Sequence, residues 1–250
     1  MKTPSSNFAA AAAAVAADDL PRATVSAVTT RTATASSLAS TKPEVADFVG
    51  EVDRSDIVMP RIAIVQKVGD LSEEFPGGSV ILNKRLLLAE PGHGIVITVL
   101  RARKYFMEIR PFGDEVRPKM FASHGEVLAA GFVLEPNWAT GEKATAKPCL
   151  DCVVAIHGTA ALSSAPEFQL EHDGIRYAVA TWSINSPSAY KGAGKALLSA
   201  KQMYLKRFVQ QSWTLSASKE KFGVNTVFVP AIAPKAANSA AVQTFLDSLV

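Results

Sequence analysis

Cysteine is nearly absent from this chain of 250 residues: only Cys149 and Cys152 occur. Two cysteines cannot build the disulfide framework of a small secreted domain, and a reduced intracellular setting, the cytoplasm, is the expectation. No run approaches the roughly 18 apolar residues that cross a bilayer as a helix, so a membrane is not among the expected partners. The alanine run over Ala9–Ala17 has one lysine before it and Asp18-Asp19 after it, a poor match to a signal-peptide core. Motifs of catalysis are missing as well. There is no GxxxxGK[ST] loop, no GxGxxG after a strand, no GxSxG elbow and no HExxH. Gly192-Ala-Gly194-Lys195 lacks the spacing of a phosphate loop. Carboxylates are scattered, with Glu73-Glu74 and Asp114-Glu115 in loop-like surroundings, so nuclease or polymerase chemistry lacks its metal ligands. The sequence does not read as an enzyme.

What the chain does have is a concentration of positive charge. Between Lys191 and Lys221 stand Lys191, Lys195, Lys201, Lys206, Arg207, Lys219 and Lys221 against the single acid Glu220, in a protein of net charge +3. At about 100° per residue, Ala189–Gln211 predicts a helix with Lys191, Lys195, Gln202 and Lys206 in one sector. Ala193, Leu197, Ala200, Tyr204 and Phe208 form the opposite, apolar seam. Such a face is either a solvated surface or a site for a polyanion, of which nucleic acid is the commonest.

Residues 1–46 are dominated by Ala, Ser and Thr and read as a disordered arm, because they cannot bury enough apolar surface to offset ordering entropy. Residues 47–235 read as one domain and 236–250 as a helical tail, with a short helix over Ala240–Leu249. Extended chain is predicted over Ile57–Val68 and a turn at Phe75-Pro-Gly-Gly78. Strands are predicted at Ser79–Leu82, Gly94–Arg103 (continuing through Lys104–Ile109), Glu126–Leu134, Leu150–His157, Phe168–Glu171, Arg176–Ile184, Trp213–Ala217 and Asn225–Val229. Ser218–Gly223 reads as the turn between the last two. Many short strands with one substantial helix predict a mainly β, α+β fold: a small β-barrel with a long basic helix.

Cys149-x-x-Cys152 is half of a zinc motif. The pair could grip a metal from a tight knuckle if two of His93, His124, His157 and His172 joined it; the alternatives are a redox pair or ordinary buried cysteines. His157, inside an apolar strand, reads as a core histidine or a ligand. Aromatics and cations interleave more tellingly. Single-stranded nucleic acid is bound by planar side chains that stack on bases and by cations that neutralise phosphates. Candidate cations are Arg101, Arg103, Lys104, Lys191, Lys195, Lys206, Lys219 and Lys221, and candidate stacking residues are Tyr105, Phe106, Tyr177 and Tyr190. Trp182, Trp213 and Phe208 are expected in the core.

The order of these features resembles a group of tailed-phage proteins that coat single-stranded DNA and are built on an OB fold. The likeness begins at Met59-Pro-Arg-Ile-Ala-Ile-Val-Gln66 and continues through Gly94–Arg103 and the Cys149-x-x-Cys152 knuckle. It ends in Tyr177–Ile184, the basic helix after Ser188-Ala-Tyr190, Trp213-Thr-Leu-Ser216, Lys219 and Phe228-Val-Pro230, covering residues 57–232. The resemblance implies an OB-like barrel and sequence-independent binding of single-stranded DNA in phage replication or recombination. Partners on that reading are single-stranded DNA, replication or recombination proteins and further copies of the chain. The competing expectation is a structural or virion-associated phage protein, with the basic helix serving solubility or subunit contacts.

Overall fold

A β-bulge in the longest strand decides which residues this protein shows to solvent. The computed structural model describes residues 58–111, 113–137, 139–223 and 225–249, so the arm expected over 1–46 lies outside the described residues. Among these, ten strands form: β1 (Ile62–Ile64), β2 (Val80–Leu82), β3 (Leu86–Ala89), β4 (Gly94–Glu108), β5 (Met120–Phe121), β6 (Ala146–His157), β7 (Leu170–His172), β8 (Ile175–Ile184), β9 (Gln211–Phe222) and β10 (Asn225–Ala237). They make a three-stranded sheet in the order β1-β2-β3 and a seven-stranded sheet in the order β10-β9-β4-β6-β8-β7, with β5 paired to β4. The pairings within both sheets are antiparallel. The fold is mainly β with accessory helices, as the strand pattern predicts.

In β4, Ile95, Ile97 and Val99 alternate into the main core. The register to β6 then slips between Val99 and Arg101, leaving Leu100 as the extra residue. Because side chains alternate with period two, one extra residue exchanges the faces. Ala102, opposite Cys152, takes over the core side, while Arg101 and Arg103 turn away from it. From β6 the core receives Leu150, Cys152, Val154 and Ile156, and from β8 Ala178, Ala180, Trp182 and Ile184.

The large sheet does not close into a barrel. Segment 60–66 spans its open side instead. At one end, Thr181 N–H of β8 donates to the Pro60 carbonyl at 2.8 Å. At the other, the Gln66 side chain behaves like a strand residue: its amide donates to the Phe228 carbonyl of β10 at 2.8 Å and accepts from Phe228 N–H at 3.0 Å. The expected long extended stretch over Ile57–Val68 thus contributes only three residues of true strand.

The core side of the sheet is capped by a helical segment in three parts: α1 (Leu71–Glu74) and α2 (His124–Ala129) precede it, and it runs through α3 (Pro187–Ala189), a π-helical turn (Tyr190–Gly194) and α4 (Lys195–Met203). Tyr190, Ala193 and Leu197 are its buried residues on the main core. Full burial of a leucine such as Leu197 contributes about 1.5–3 kcal/mol. The helix ends eight residues before the predicted Gln211. Tyr204 leaves helical geometry, and Leu205 N–H bonds back to the Ala200 carbonyl at 3.0 Å. Leu205, not Tyr204, therefore packs against the core.

A short 3-10 turn (Phe208–Gln210) and α5 (Ala240–Asp247) lie on the opposite face, where Val209 and Leu246 bury Tyr177 and Ala155. Two further corrections concern elements. The strand predicted at Glu126–Leu134 is helix α2, because Ser123 caps it by accepting from Glu126 N–H and Glu126 returns its carboxylate to Ala122 N–H. The turn predicted at Ser218–Gly223 is mostly strand, with β9 paired to β10 as far as Phe222 opposite Asn225.

Candidate nucleic-acid interface

Register places three arginines on one side of the large sheet. Arg101 of β4 is opposite Val153 of β6, Val153 is opposite Thr181 of β8, and Thr181 bridges Arg61 just ahead of β1. One row further, Arg103 is opposite Asp151, which is opposite Ser183. Directly paired residues share a face, so Arg61, Arg101, Arg103, Thr181, Ser183 and Asp151 stand on the face turned away from the main core. The 3-10 turn and α5 cover the adjoining part of this face, around Ala155 and Tyr177. The three arginines and Ser183 remain exposed. With strands about 4.8 Å apart, Arg61 and Arg101 are about 14 Å apart across the sheet.

Asp151 is the acid within this strip. Tyr105, on the same face, donates its hydroxyl to Asp151 Oδ1 at 3.4 Å. Burial, with the Asp151 and Cys149 charges behind it, pushes the Tyr105 phenol up to about 12, so it stays protonated.

The four aromatics predicted to stack are not available to a ligand. Tyr105 is 7% exposed, Phe106 7%, Tyr177 0% and Tyr190 6%. Phe106 belongs to a small separate core with Val127 and Ala146. Tyr177 lies under α5, its ring 5.4 Å from that of Phe245. Tyr190 packs into the main core beneath the helix it starts. Each ring is apolar enough to be used as core. The exposed tyrosine is Tyr204, at 78%, which the helical pattern had assigned to the apolar seam. Trp182 and Trp213 are buried as predicted.

Nor do the predicted cations meet in one groove. Arg101 and Arg103 are on the open face. Lys104 points to the other side, opposite Leu150, with its ammonium 5.2 Å from the Phe106 ring centre. Lys191 and Lys195 are on the exposed side of the helix, and Lys206 lies in the loop beyond it. Lys219 and Lys221 are in β9, with Lys219 5.9 Å from the Phe228 ring centre. Arg110 is held by Glu108 at 3.0 Å and Asp114 at 2.9 Å and offers little free charge. Sequence reasoning missed Arg61 and Lys84. Arg61 was legible only as part of the strand entry, and Lys84 only as half of the Asn83-Lys84 turn dipeptide.

No family model matches the chain, and neither the curated proteins nor the solved structures include a match.

The zinc knuckle does not form. Cys149 and Cys152 are both within β6, and three residues apart on a strand means opposite faces. Cys152 joins the main core opposite Trp182, whereas Cys149 is opposite Tyr105 on the other side. The two thiols cannot ligate one ion in this fold, nor bridge each other. No group of three or more His, Cys, Asp or Glu is placed to hold a metal among the described residues. His157 is a core histidine: its Nε2 is 2.9 Å from Thr98 Oγ1, its ring meets Tyr177 edge-on at 4.9 Å, and burial lowers its pKa to about 4. Among the described residues no helix is long and apolar enough to cross a membrane.

Proposed function

We propose that the protein binds single-stranded DNA without sequence preference, through the open sheet face that carries Arg61, Arg101 and Arg103. The observation that supports this reading is the bulge at Leu100, which turns two arginines of a core strand onto an uncovered face in register with a third. Guanidinium groups bind phosphates through paired donors and also lie flat against bases, so arginines supply planar contacts where the buried tyrosines do not. Contacts to the sugar-phosphate backbone carry no base information, hence the absence of sequence preference. The curled antiparallel sheet, with its open side spanned by residues 60–66, is read as an OB-like barrel left unclosed. Phage replication or recombination is the setting that the resemblance supplies, and no catalytic step belongs to the reading.

The test is fluorescence anisotropy with a labelled oligothymidylate at several salt concentrations. The three arginines together contribute about −2 to the log-log salt slope, at about −0.7 per cation on a single strand. Reversing charge in the double variant R101E/R103E removes most of the binding, whereas K191E/K195E on the helix leaves it nearly intact. Binding insensitive to salt, or lost equally in both variants, overturns the proposal. Burial of all four predicted stacking residues favours a second reading, a structural or virion-associated protein whose arginines meet a neighbouring subunit. A wild-type protein that self-associates and ignores the oligonucleotide would decide for it.

A further inference from the structure

The hairpin between β2 and β3 reverses at Asn83 and Lys84, whose φ angles are +51° and +62°. Arg85 N–H closes the turn on the Leu82 carbonyl at 3.1 Å. Two successive left-handed residues suit the twist of a tight hairpin, but the second position is where glycine is favoured. Asparagine tolerates this conformation; lysine, with a full side chain, is strained there. Strain of this kind persists where something else holds the residue in place.

Lys84 lines two clefts beside the small sheet. One, of about 320 Å3, also carries Asp70 and Gln66. The other, of about 270 Å3, is lined by Arg61, Asn83, Lys84, Thr181 and Ser183 among others, with two cations and no acid. This second cleft continues the open sheet face, because Thr181 belongs to the row of Arg101 and Ser183 to the row of Arg103. The Thr181 hydroxyl is already donated to the Pro60 carbonyl at 3.2 Å. The other lining residues that carry side-chain donors are Arg61, Lys84, Asn83 and Ser183. A fork, a point charge and two neutral donors match a phosphate group.

We infer that Arg61, Asn83, Lys84 and Ser183 form a phosphate-binding subsite at the end of the arginine face, and that lysine occupies the strained turn position because its ammonium is needed there. The inference rests on the proposed nucleic-acid reading and adds a defined end to the path of the strand. It separates stability from binding. Lys84→Gly relieves the turn and removes the charge, so the two properties move in opposite directions.

The experiment measures melting temperature and oligothymidylate affinity for wild type, K84G and R61Q. K84G is expected to melt about 2–4 °C higher. Its affinity at low salt falls about 2–5-fold, and its salt slope becomes shallower by about 0.7. R61Q weakens binding similarly without the gain in melting temperature. If wild type binds and K84G binds equally well with the same slope, the subsite is wrong while the proposed function stands. If wild type does not bind the oligonucleotide, the proposed function falls, and inorganic pyrophosphate decides on the subsite alone. A melting shift with pyrophosphate in wild type but not in K84G upholds it; equal shifts, or none, overturn it.

Discussion

Gly194 sits against the ring of Tyr190: a Cβ built on it would stand 3.0 Å from Tyr190 Cδ2. Both residues belong to the π-helical turn, and Tyr190 is wedged into the core with little room to retreat. Gly192, two residues earlier, has nothing nearer to a Cβ than the Pro230 carbonyl oxygen at 4.0 Å. Alanine at a helical glycine normally gains up to about 1 kcal/mol. Gly192→Ala should realise most of that gain. Gly194→Ala should instead destabilise by about 1 kcal/mol, since overpacking against the buried ring outweighs the propensity term. Urea denaturation of the two variants checks the contrast, and equal stabilisation in both would show that the ring yields freely.

His157 predicts a pH dependence. Its ordinary pKa of 6.5 falls to about 4 in the fold because burial disfavours the imidazolium. Thr98 Oγ1, the Tyr177 ring and, through Thr98, the Asn238 amide surround it, and none supplies negative charge. Between pH 6.5 and 4 the unfolded chain takes up a proton that the folded chain refuses. Stability from this group is therefore complete above pH 6.5, declines as pH drops toward 4, and is level below that. The loss is of order 3 kcal/mol. Comparing the pH-stability profiles of wild type and H157Q tests it, with the variant expected to be flatter across this window.

Both thiols should be inert in the native protein. Burial, with the Asp151 charge adding to it, pushes the Cys152 thiol up to about 12, and burial raises that of Cys149 as well. Reaction requires the thiolate and access to it. A chromogenic thiol reagent at pH 8 is expected to label neither cysteine until denaturant is added, and then both. Fast labelling of either thiol in the native state would contradict the burial of both.

The strands were legible where the pattern was local. β4, β6 and β8 carry β-branched runs long enough to specify themselves, and the alternation in β8 correctly separates Tyr177 from Trp182. What the sequence hides is one-residue irregularity. The bulge at Leu100 and the π turn at Tyr190 are set by pairing and packing with distant segments, and each changes which side chains face water. The end of α4 at Met203 is hidden for the same reason, so Leu205 takes the core place that helical periodicity assigns to Tyr204. The S-x-x-E box at Ser123–Glu126 is a readable signal for helix α2, and the apolar residues after it mimic a strand. The candidate site was visible only in its parts: Arg101 and Arg103 are neighbours in sequence, but Arg61 reaches them through three strand pairings.

Asp151 should act against the ligand on this face. It is flanked across the strands by Arg103 and Ser183, yet no ion pair with Arg103 forms among the described residues. A strand threading the arginines would bring phosphates close to a carboxylate that no cation fully neutralises. Asp151→Asn keeps the shape and an oxygen to accept the Tyr105 hydroxyl while removing the charge. Affinity for oligothymidylate at low salt should then rise about 2–5-fold, and the gain should fade as salt screens the repulsion. Because the contacts are to phosphates and not to base edges, the gain should be the same for oligocytidylate. Weaker binding of both oligonucleotides in D151N would mean that Asp151 orders the arginines rather than opposing the phosphates, and the strand would have to be placed elsewhere.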